Sequence, residues 1–295
     1  MANADTSITE ISKNLHCIIV DCHSLSWYER DGIVNGLNNG RFISFDDMAR
    51  SIVIFINSFL IANKFDSDLM VVFNYEGGCE VIYPIVSSES NRVDSFQPKP
   101  VIISSILFEN FVKVGNNIMK QFENTQNKMY KETNDSLFYA LAKCLCVINK
   151  RQKTNITAQG KILVIQLALD SYHHYDSIMD SIFSATKLGV SIDALVLSNE
   201  ASSFLQQACL LTKGAYIHNT DNQKYCTLQS LIMHSFPDIV LRDTLEVPIQ
   251  KSVRFRSSCT CHNRIVEFAH MCTLCFSLVC DVKDECPICK TKIKK

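Results

Sequence analysis

The sequence has little glycine and proline, and it has no long apolar run. Nine glycines and six prolines among 295 residues are too few for a low-complexity or collagen-like protein. The most apolar stretch, Ser51 to Ala62, contains Asn57 and Ser58 and is shorter than the ~18 residues of a membrane span. Basic residues (29) and acidic residues (30) balance, so no overall positive charge attracts nucleic acid. These absences predict a soluble globular protein.

The first ten residues, MANADTSITE, carry acidic side chains and lack the apolar segment of a secretory signal. We therefore expect an intracellular protein that is kept in a reducing compartment. Its length corresponds to about two domains, and 47% of its residues are hydrophobic, which is enough to build a substantial core.

Cysteine is abundant, and its distribution is uneven. Seven of the 14 cysteines are scattered over the first 258 residues, and the other seven lie within the last 37. Clustered thiols in a reducing compartment usually bind metal. The scattered cysteines lie in apolar segments such as 15–18 and 144–147, and we interpret them as small core residues.

The net charge of the chain changes from negative to positive near the start of the cysteine cluster. Residues 251–295 contain nine basic and four acidic side chains, a formal charge of +5. Since the whole chain carries −1, the preceding 250 residues carry −6. The intervening stretch, 237–253, contains two prolines and has the composition of a linker. We predict an acidic domain at residues 10–245, followed at residues 246–295 by a linker and a small cysteine-rich module.

Apolar strands alternate with amphipathic helices along the larger domain. The predicted strands cover residues 15–21, 69–75, 79–83, 161–169, 190–197 and 215–217, and the predicted helices cover 45–64, 106–119, 136–149, 175–188 and 201–212. Gly77 and Gly78 predict a hairpin, and Gly189 and Gly214 are expected to end helices. The pattern predicts an α/β fold with a doubly wound, mostly parallel sheet. The Asn-rich stretch 116–134 is predicted to be a solvated connection.

Asp21 ends the first predicted strand, at the edge where such sheets usually bind ligands. A hard cation such as Mg²⁺ needs oxygen ligands, but His23 and Leu25 occupy the alternate positions after this acid. A shifted set with Ser24 and Ser26 is the alternative. We expect Asp21 to accept hydrogen bonds within a loop or at a helix instead.

The larger domain contains no recognisable catalytic constellation. We find no nucleophile elbow, no paired carboxylates with metal spacing and no Gly-rich phosphate loop. His173 and His174 are expected to lie in a solvated turn before a helix. The sequence therefore predicts a protein that is not an enzyme.

Four cysteines near the carboxyl terminus have the spacing of a zinc site. They form two Cys-x-x-Cys pairs separated by ten residues: Cys272 with Cys275, and Cys286 with Cys289. Each pair brings two thiolates to one ion at ~2.3 Å, and two pairs complete a tetrahedral Zn²⁺ site. Zinc would supply folding free energy that so small a segment cannot obtain from a core. The remaining groups would form a second, cross-braced RING-like site or pack under the first: Cys259, Cys261, Cys280 and His262.

Both parts of the chain resemble one family, the smaller von Willebrand factor A-containing subunits of general transcription and DNA-repair factor IIH. The residues that carry the resemblance are Ile192-Asp193-Ala194, Ser203-Phe204-Leu205-Gln206-Gln207-Ala208-Cys209, Thr212-Lys213-Gly214-Ala215-Tyr216 and the cysteine-rich segment 259–280. The resemblance extends from about residue 15 to residue 290.

The resemblance implies a non-catalytic nuclear scaffold. Its von Willebrand factor A-like domain would lack an intact metal-adhesion site, which agrees with His23 and Leu25. Its partners would be other subunits of the factor's core, especially a larger subunit with its own A-like domain and zinc-binding carboxyl end. The assembly opens DNA for RNA polymerase II and for nucleotide-excision repair. The resemblance implies indirect or weak contact with DNA and none with membranes.

Two other functions compete with the scaffold. An E3 ubiquitin ligase would use the cysteine-rich module as a RING, which requires two filled zinc sites and an apolar groove for a conjugating enzyme. A DNA-binding finger would use the module's +5 charge for phosphate contacts. Aromatic residues are sparse there (Phe255, Phe268 and Phe276), which disfavours specific base recognition.

Overall fold

A computed structural model describes residues 14–24, 26–28, 43–62, 67–75, 78–83, 107–117, 133–134, 136–154, 158–170, 175–219, 226–235, 237, 242, 257–259, 264–272, 278–281, 285–286 and 290–292. The strands are β1 (Asn14–Asp21), β2 (Ser67–Tyr75), β3 (Gly78–Tyr83), β4 (Thr133–Asn134), β5 (Gly160–Gln166), β6 (Leu169–Asp170), β7 (Ser191–Val196), β8 (Tyr216–His218), β9 (Ser257–Cys259), β10 (Arg264–Val266), β11 (His270–Met271) and β12 (Leu278–Val279). The helices are α1 (Phe45–Ala62), α2 (107–117), α3 (Leu137–Thr154), α4 (Tyr175–Leu188), α5 (Ser203–Leu211) and α6 (Cys226–Ser230), which continues as a π-helical turn over Leu231–Ser235.

Six strands form the main sheet in the order β3-β2-β1-β5-β7-β8. Neighbouring strands are parallel except for the pair β2 and β3, which is antiparallel. The predicted mostly parallel α/β sheet and its hairpin are thus confirmed. Strands β1, β2 and β3 follow one another toward one edge of the sheet, and β5, β7 and β8 follow one another toward the other edge. The strand order therefore reverses between β1 and β5. Ligands of open α/β sheets bind beyond the carboxyl ends of the strands at such a point.

Helices cover both faces of the sheet. Alternate residues of β1 point to opposite faces, as the period of two in a strand requires. Ile18 and Val20 pack in one core with α1 and α2, and Cys17 and Ile19 pack in the other with α3, α4 and α5. Within the part of the chain that the structure describes, no helix is both long enough and apolar enough to cross a membrane.

Element boundaries lie within two residues of their predictions except at the ends of α3 and β5. Helix α3 continues to Thr154, five residues beyond its predicted end at residue 149. The fifth strand ends at Gln166 rather than at residue 169, because the next two backbone N–H groups turn toward Asp21. Leu169–Asp170 instead pairs with Thr133–Asn134, so the Asn-rich stretch ends in a short strand. Residues 118–132 of that stretch lie outside the described residues.

The two glycines that were predicted to end helices behave differently. Gly189 ends α4 in the left-handed conformation (φ +66°), as predicted. After α5, however, Lys213 rather than Gly214 takes the left-handed conformation (φ 56°). Gly214 N–H donates to the carbonyl of Cys209 at 2.7 Å, and its lack of a side chain serves a close approach to β7.

The described parts of the cysteine-rich module include two short hairpins and an antiparallel bridge between Glu285 and Lys292. Strand β9 pairs with β10, and β11 pairs with β12, both in antiparallel register. Strand β12 also lies next to β9, which brings the two hairpins together. The domain boundary at residues 245/246 stays a prediction.

Candidate functional site

The carboxylate of Asp21 lies at the reversal point of the sheet, where three backbone N–H groups bind it. Leu167 and Ala168 donate to Oδ2 at 3.1 and 2.7 Å, and His23 donates to Oδ1 at 3.1 Å. These bonds connect the end of β1 to the loop after β5. The expectation that Asp21 accepts hydrogen bonds within a loop is confirmed.

The residues after Asp21 are enclosed rather than open to an ion. His23 and Ser24 are buried, and His23 Nδ1 lies 3.2 Å from Ser26 Oγ. The indole N–H of Trp27 donates to the backbone carbonyl of Asp21 at 2.7 Å. Leu25 lies outside the described residues. This short segment therefore folds back over the strand end.

A second carboxylate, the half-buried Asp170, follows β5 at the same edge of the sheet, and the sequence patterns gave it no role. It accepts hydrogen bonds from Ser202 Oγ (2.6 Å), Ser203 N–H (2.8 Å) and Gln166 Nε2 (3.1 Å). The Ser202 hydroxyl in turn accepts from the N–H of Leu205, which caps α5. An anion at a helix amino terminus is stabilised by the helix dipole. The only sequence signal was an acid that follows a buried strand.

Burial raises the pKa of both carboxyl groups, while the hydrogen bonds that each accepts act in the opposite direction. Both groups face donors supplied by the protein itself. Through these hydrogen bonds, both carboxylates fix loops at this edge of the sheet.

Adding Mg²⁺ to the purified chain should therefore leave its melting temperature unchanged within error. Asp21 Oδ2 already accepts two hydrogen bonds, and the alternate positions after Asp21 hold His23 and Leu25, whose side chains offer no oxygen to a hard ion. Differential scanning fluorimetry over a Mg²⁺ titration checks this, with Ca²⁺ as a second cation. A shift in the wild type that disappears in Asp21→Ala would instead reveal a cation site at this edge.

The scattered cysteines are mostly core residues, as predicted. Cys17, Cys22, Cys144 and Cys209 are buried, whereas Cys146 is exposed on α3 and the prediction is wrong for it. Burial raises the pKa of the Cys22 and Cys209 thiols well above its usual value, so neither is a thiolate at neutral pH. His173 and His174 lie outside the described residues.

Two of the four predicted zinc ligands are described, and both are buried in the small module. Cys272 directly follows β11, and Cys286 begins a tight turn. In this turn Lys290 N–H donates to the carbonyl of Cys286 at 3.0 Å, and Lys290 takes the left-handed conformation (φ 57°). An antiparallel bridge between Glu285 and Lys292 shows that the chain reverses between these two residues. Cys275 and Cys289 lie outside the described residues.

Another pair of cysteines lies close together between the hairpins. The N–H of Cys280 donates to Cys259 Sγ at 3.1 Å, and Cys259 is fully buried. Cys261 and His262, the other members of the alternative second site, lie outside the described residues. Among the residues that the structure does describe, no three His, Cys, Asp or Glu side chains are grouped as metal ligands.

The sequence matches the family described as Transcription factor Tfb4 over residues 13–290. It is 28% identical to general transcription factor IIH subunit 3 of Dictyostelium discoideum, a match that covers 88% of this chain and 71% of that protein. It is 29% identical to general transcription and DNA repair factor IIH subunit tfb4 of Schizosaccharomyces pombe, covering 98% and 93%. Its fold is similar to the crystal structure of the TFIIH p34 N-terminal domain, with a TM-score of 0.51 at 19% identity, over 76% of this chain and 98% of that one. Because the family match covers most of its length, the chain belongs to the Transcription factor Tfb4 family.

Proposed function

We propose that this chain is a structural, non-catalytic subunit of the general transcription and DNA repair factor IIH. It would act in the nucleus, in transcription initiation by RNA polymerase II and in nucleotide-excision repair. The observation that carries this proposal is the family match over residues 13–290, and relatives in that family are named as subunits of the factor. We assign residues 10–245 to a von Willebrand factor A-like domain, which the mostly parallel sheet supports.

The geometry of the sheet edge supports a scaffold. Asp21 and Asp170 are both engaged by donors from the chain's own loops, so they hold the top of the domain together. Removing either carboxylate would release several buried N–H groups at once. A rigid edge of this kind presents a fixed surface to another protein.

Exposed apolar side chains are candidates for that contact. Ile54 and Ile61 on α1, and Phe108 and Val112 on α2, are each more than a third exposed, with Ile61 at 64%. Both helices pack on the same face of the sheet. A few such anchors carry most of the free energy of a protein interface, while surrounding charges mainly affect the rate of encounter.

We further propose that Cys272, Cys275, Cys286 and Cys289 hold a structural Zn²⁺. The burial of Cys272 and Cys286, and the tight turn closed by Lys290, fit a zinc knuckle. When bound, the ion contributes folding free energy to the module and takes part in no reaction. The alternative second ion would be held by Cys259, Cys261, Cys280 and His262.

Both the full chain and residues 1–245 should co-purify with a partner subunit from a complete set of recombinant factor subunits. The expected partner is the larger subunit with its own A-like domain and zinc-binding carboxyl end. The first 250 residues carry −6, and we expect the partner surface to be a basic or cysteine-rich zinc domain. Because opposite charges speed encounter, moderate salt should slow association more than it speeds dissociation. Biolayer interferometry with immobilised chain at two salt concentrations measures both rates.

Two matched variants locate the contact. Ile61→Asp on α1 should weaken binding at least about tenfold, whereas Phe183→Asp, at a half-exposed position on the opposite face, should not. If the 1–245 fragment stays monomeric with every subunit, the scaffold proposal fails. If the full chain instead builds ubiquitin chains with a conjugating enzyme, and Cys275→Ser abolishes this activity, the E3 ligase function replaces the scaffold proposal.

A further inference from the structure

A buried ionic cluster lies in the sheet, away from the carboxyl ends of its strands. Asp193 on β7 is fully buried and lies between two cations, Lys161 on β5 and Arg242 from the segment after the π-helical turn. Lys161 Nζ lies 3.1 Å from Asp193 Oδ2. Arg242 makes a two-pronged contact, with Nη1 2.7 Å from Oδ1 and Nη2 2.5 Å from Oδ2. The N–H of Ala215 also donates to Asp193, at 2.9 Å.

Both cations bind the backbone that leads away from the sheet. Lys161 Nζ donates to the carbonyls of Ser235 and Pro237, the latter at 3.0 Å. Arg242 Nε donates to the same Pro237 carbonyl at 3.2 Å. Through these two side chains Asp193 therefore anchors Ser235, Pro237 and Arg242, although it lies more than 40 residues earlier in the chain.

The anchored segment also closes part of the core. Ser235 lines a small cavity together with His16 of β1 and with Phe55 and Phe59 of α1. His16 packs edge-on against Phe59. Burial, with a smaller contribution from the Lys161 charge, lowers the pKa of His16 to about 3, so its imidazole adds no charge to the cluster at pH 7. The cluster therefore pairs two cations with one anion.

We propose that Asp193, Lys161 and Arg242 form a latch that fastens the chain to the sheet at Ser235, Pro237 and Arg242. The latch fixes the point from which the chain continues toward the cysteine-rich module, and it holds Ser235 at the cavity between β1 and α1. The inference goes beyond the scaffold function and does not depend on which partner the chain binds.

The charge count predicts an order among latch variants. Removing Arg242 leaves the neutral pair of Lys161 and Asp193, and removing Lys161 leaves the neutral pair of Arg242 and Asp193. Removing the Asp193 charge leaves two buried cations facing each other, which is far more costly. Asp193→Asn should therefore unfold the domain or perturb all of it, whereas Arg242→Leu should release the segment alone.

Hydrogen exchange of the full-length chain, followed by mass spectrometry, tests the latch. In Arg242→Leu, peptides covering 226–242 should exchange at least tenfold faster than in the wild type, while peptides of β1 and β5 should not change. Arg242→Lys keeps the charge but loses the two-pronged contact, so it should give an intermediate rate. Arg50→Leu removes an exposed ion pair with Asp46 on α1 and is the matched control, with no expected change.

Two results would overturn the latch. Unchanged exchange of 226–242 in Arg242→Leu means that Arg242 does not hold the segment, and the three-residue latch is then wrong. Faster exchange in β1 and β5 as well means that Arg242 stabilises the whole core rather than this segment. Should Arg242→Leu fail to fold, the same comparison in Arg242→Lys decides between these results.

Discussion

Replacing Cys286 with serine is expected to unfold the cysteine-rich module while leaving the thermal transition of the α/β domain nearly unchanged. This expectation rests on the proposed Zn²⁺ ion. A serine hydroxyl is not ionised at neutral pH and cannot replace a thiolate ligand. Structural zinc contributes an apparent ~10–16 kcal/mol in small zinc domains, which exceeds what the rest of such a module supplies. Losing one of four ligands should therefore remove most of its stability.

The structure explains why the effect should stay local. The described strands of the module are two or three residues long, and they pair only with one another. The sheet of the larger domain has its own two cores, one on each face. We therefore expect two separate transitions in the wild type and one in the variant.

Elemental analysis and calorimetry check this prediction. Protein purified without chelator should contain one equivalent of zinc, and Cys286→Ser should contain much less. Cys146→Ser, at an exposed position on α3, is the matched control and should keep both the zinc and both transitions. Less than half an equivalent in the wild type contradicts the zinc proposal. Two equivalents of zinc in the wild type would support the second site, which includes Cys259 and Cys280. If Cys286→Ser instead abolishes a single transition of the whole chain, the two domains depend on each other for folding.

Much of the fold was predictable because its elements follow local patterns. The strand that ends at Asp21 and the helix from Tyr175 to Leu188 are where periodicity placed them. Buried parallel strands are continuous apolar runs, and helices packed on them repeat with a period of 3.6 residues. Neither pattern depends on which parts of the chain meet in space.

The candidate site was less predictable because its contacts join distant parts of the chain. Asp21 binds N–H groups about 146 residues away, and these bonds also end β5 at Gln166. Asp170 caps a helix that starts 33 residues later. A single acid at the end of an apolar run gives no sign of such partners. The contact of Arg242 with Asp193 was also not predictable, because Arg242 lies in a stretch whose composition indicates only a linker.

The fold of the cysteine-rich module was not predictable from local patterns. Its strands are too short to produce any periodicity, so spacing of the cysteines was the only signal that the sequence offered. Spacing indicates which residues can share an ion, but it gives no information about how hairpins pack. The contact between Cys280 and Cys259 depends on that packing.

Replacing Gly214 with alanine is expected to destabilise the α/β domain by about 3 kcal/mol, although it adds only one methyl group. A Cβ atom at this position would lie 1.7 Å from the backbone carbonyl oxygen of Ile192. That oxygen belongs to β7, a central strand that cannot move without disturbing its neighbours β5 and β8. The same Cβ would also come within 3.2 Å of Asp193 Oδ1, in the latch.

Three other substitutions separate this clash from a general cost of changing glycine. Gly189→Ala meets no atom within 4 Å but has φ +66°, so it should cost about 1–2 kcal/mol. Gly78→Ala also meets no atom and has no left-handed strain, so its effect should stay within about 0.5 kcal/mol. Lys213→Gly, next to Gly214, removes a left-handed side-chain residue and should not destabilise the domain.

Urea denaturation measures the free energy of unfolding of all four variants. The expected order of destabilisation is Gly214→Ala, then Gly189→Ala, then Gly78→Ala, with Lys213→Gly equal to or more stable than the wild type. If Gly214→Ala costs no more than Gly189→Ala, the turn after α5 can shift away from β7, and the close approach is not required. Gly214 and Lys213 are adjacent in the same turn. If Gly214→Ala lowers the free energy of unfolding and Lys213→Gly raises it, contact with the strand, rather than flexibility of the turn, requires glycine at position 214.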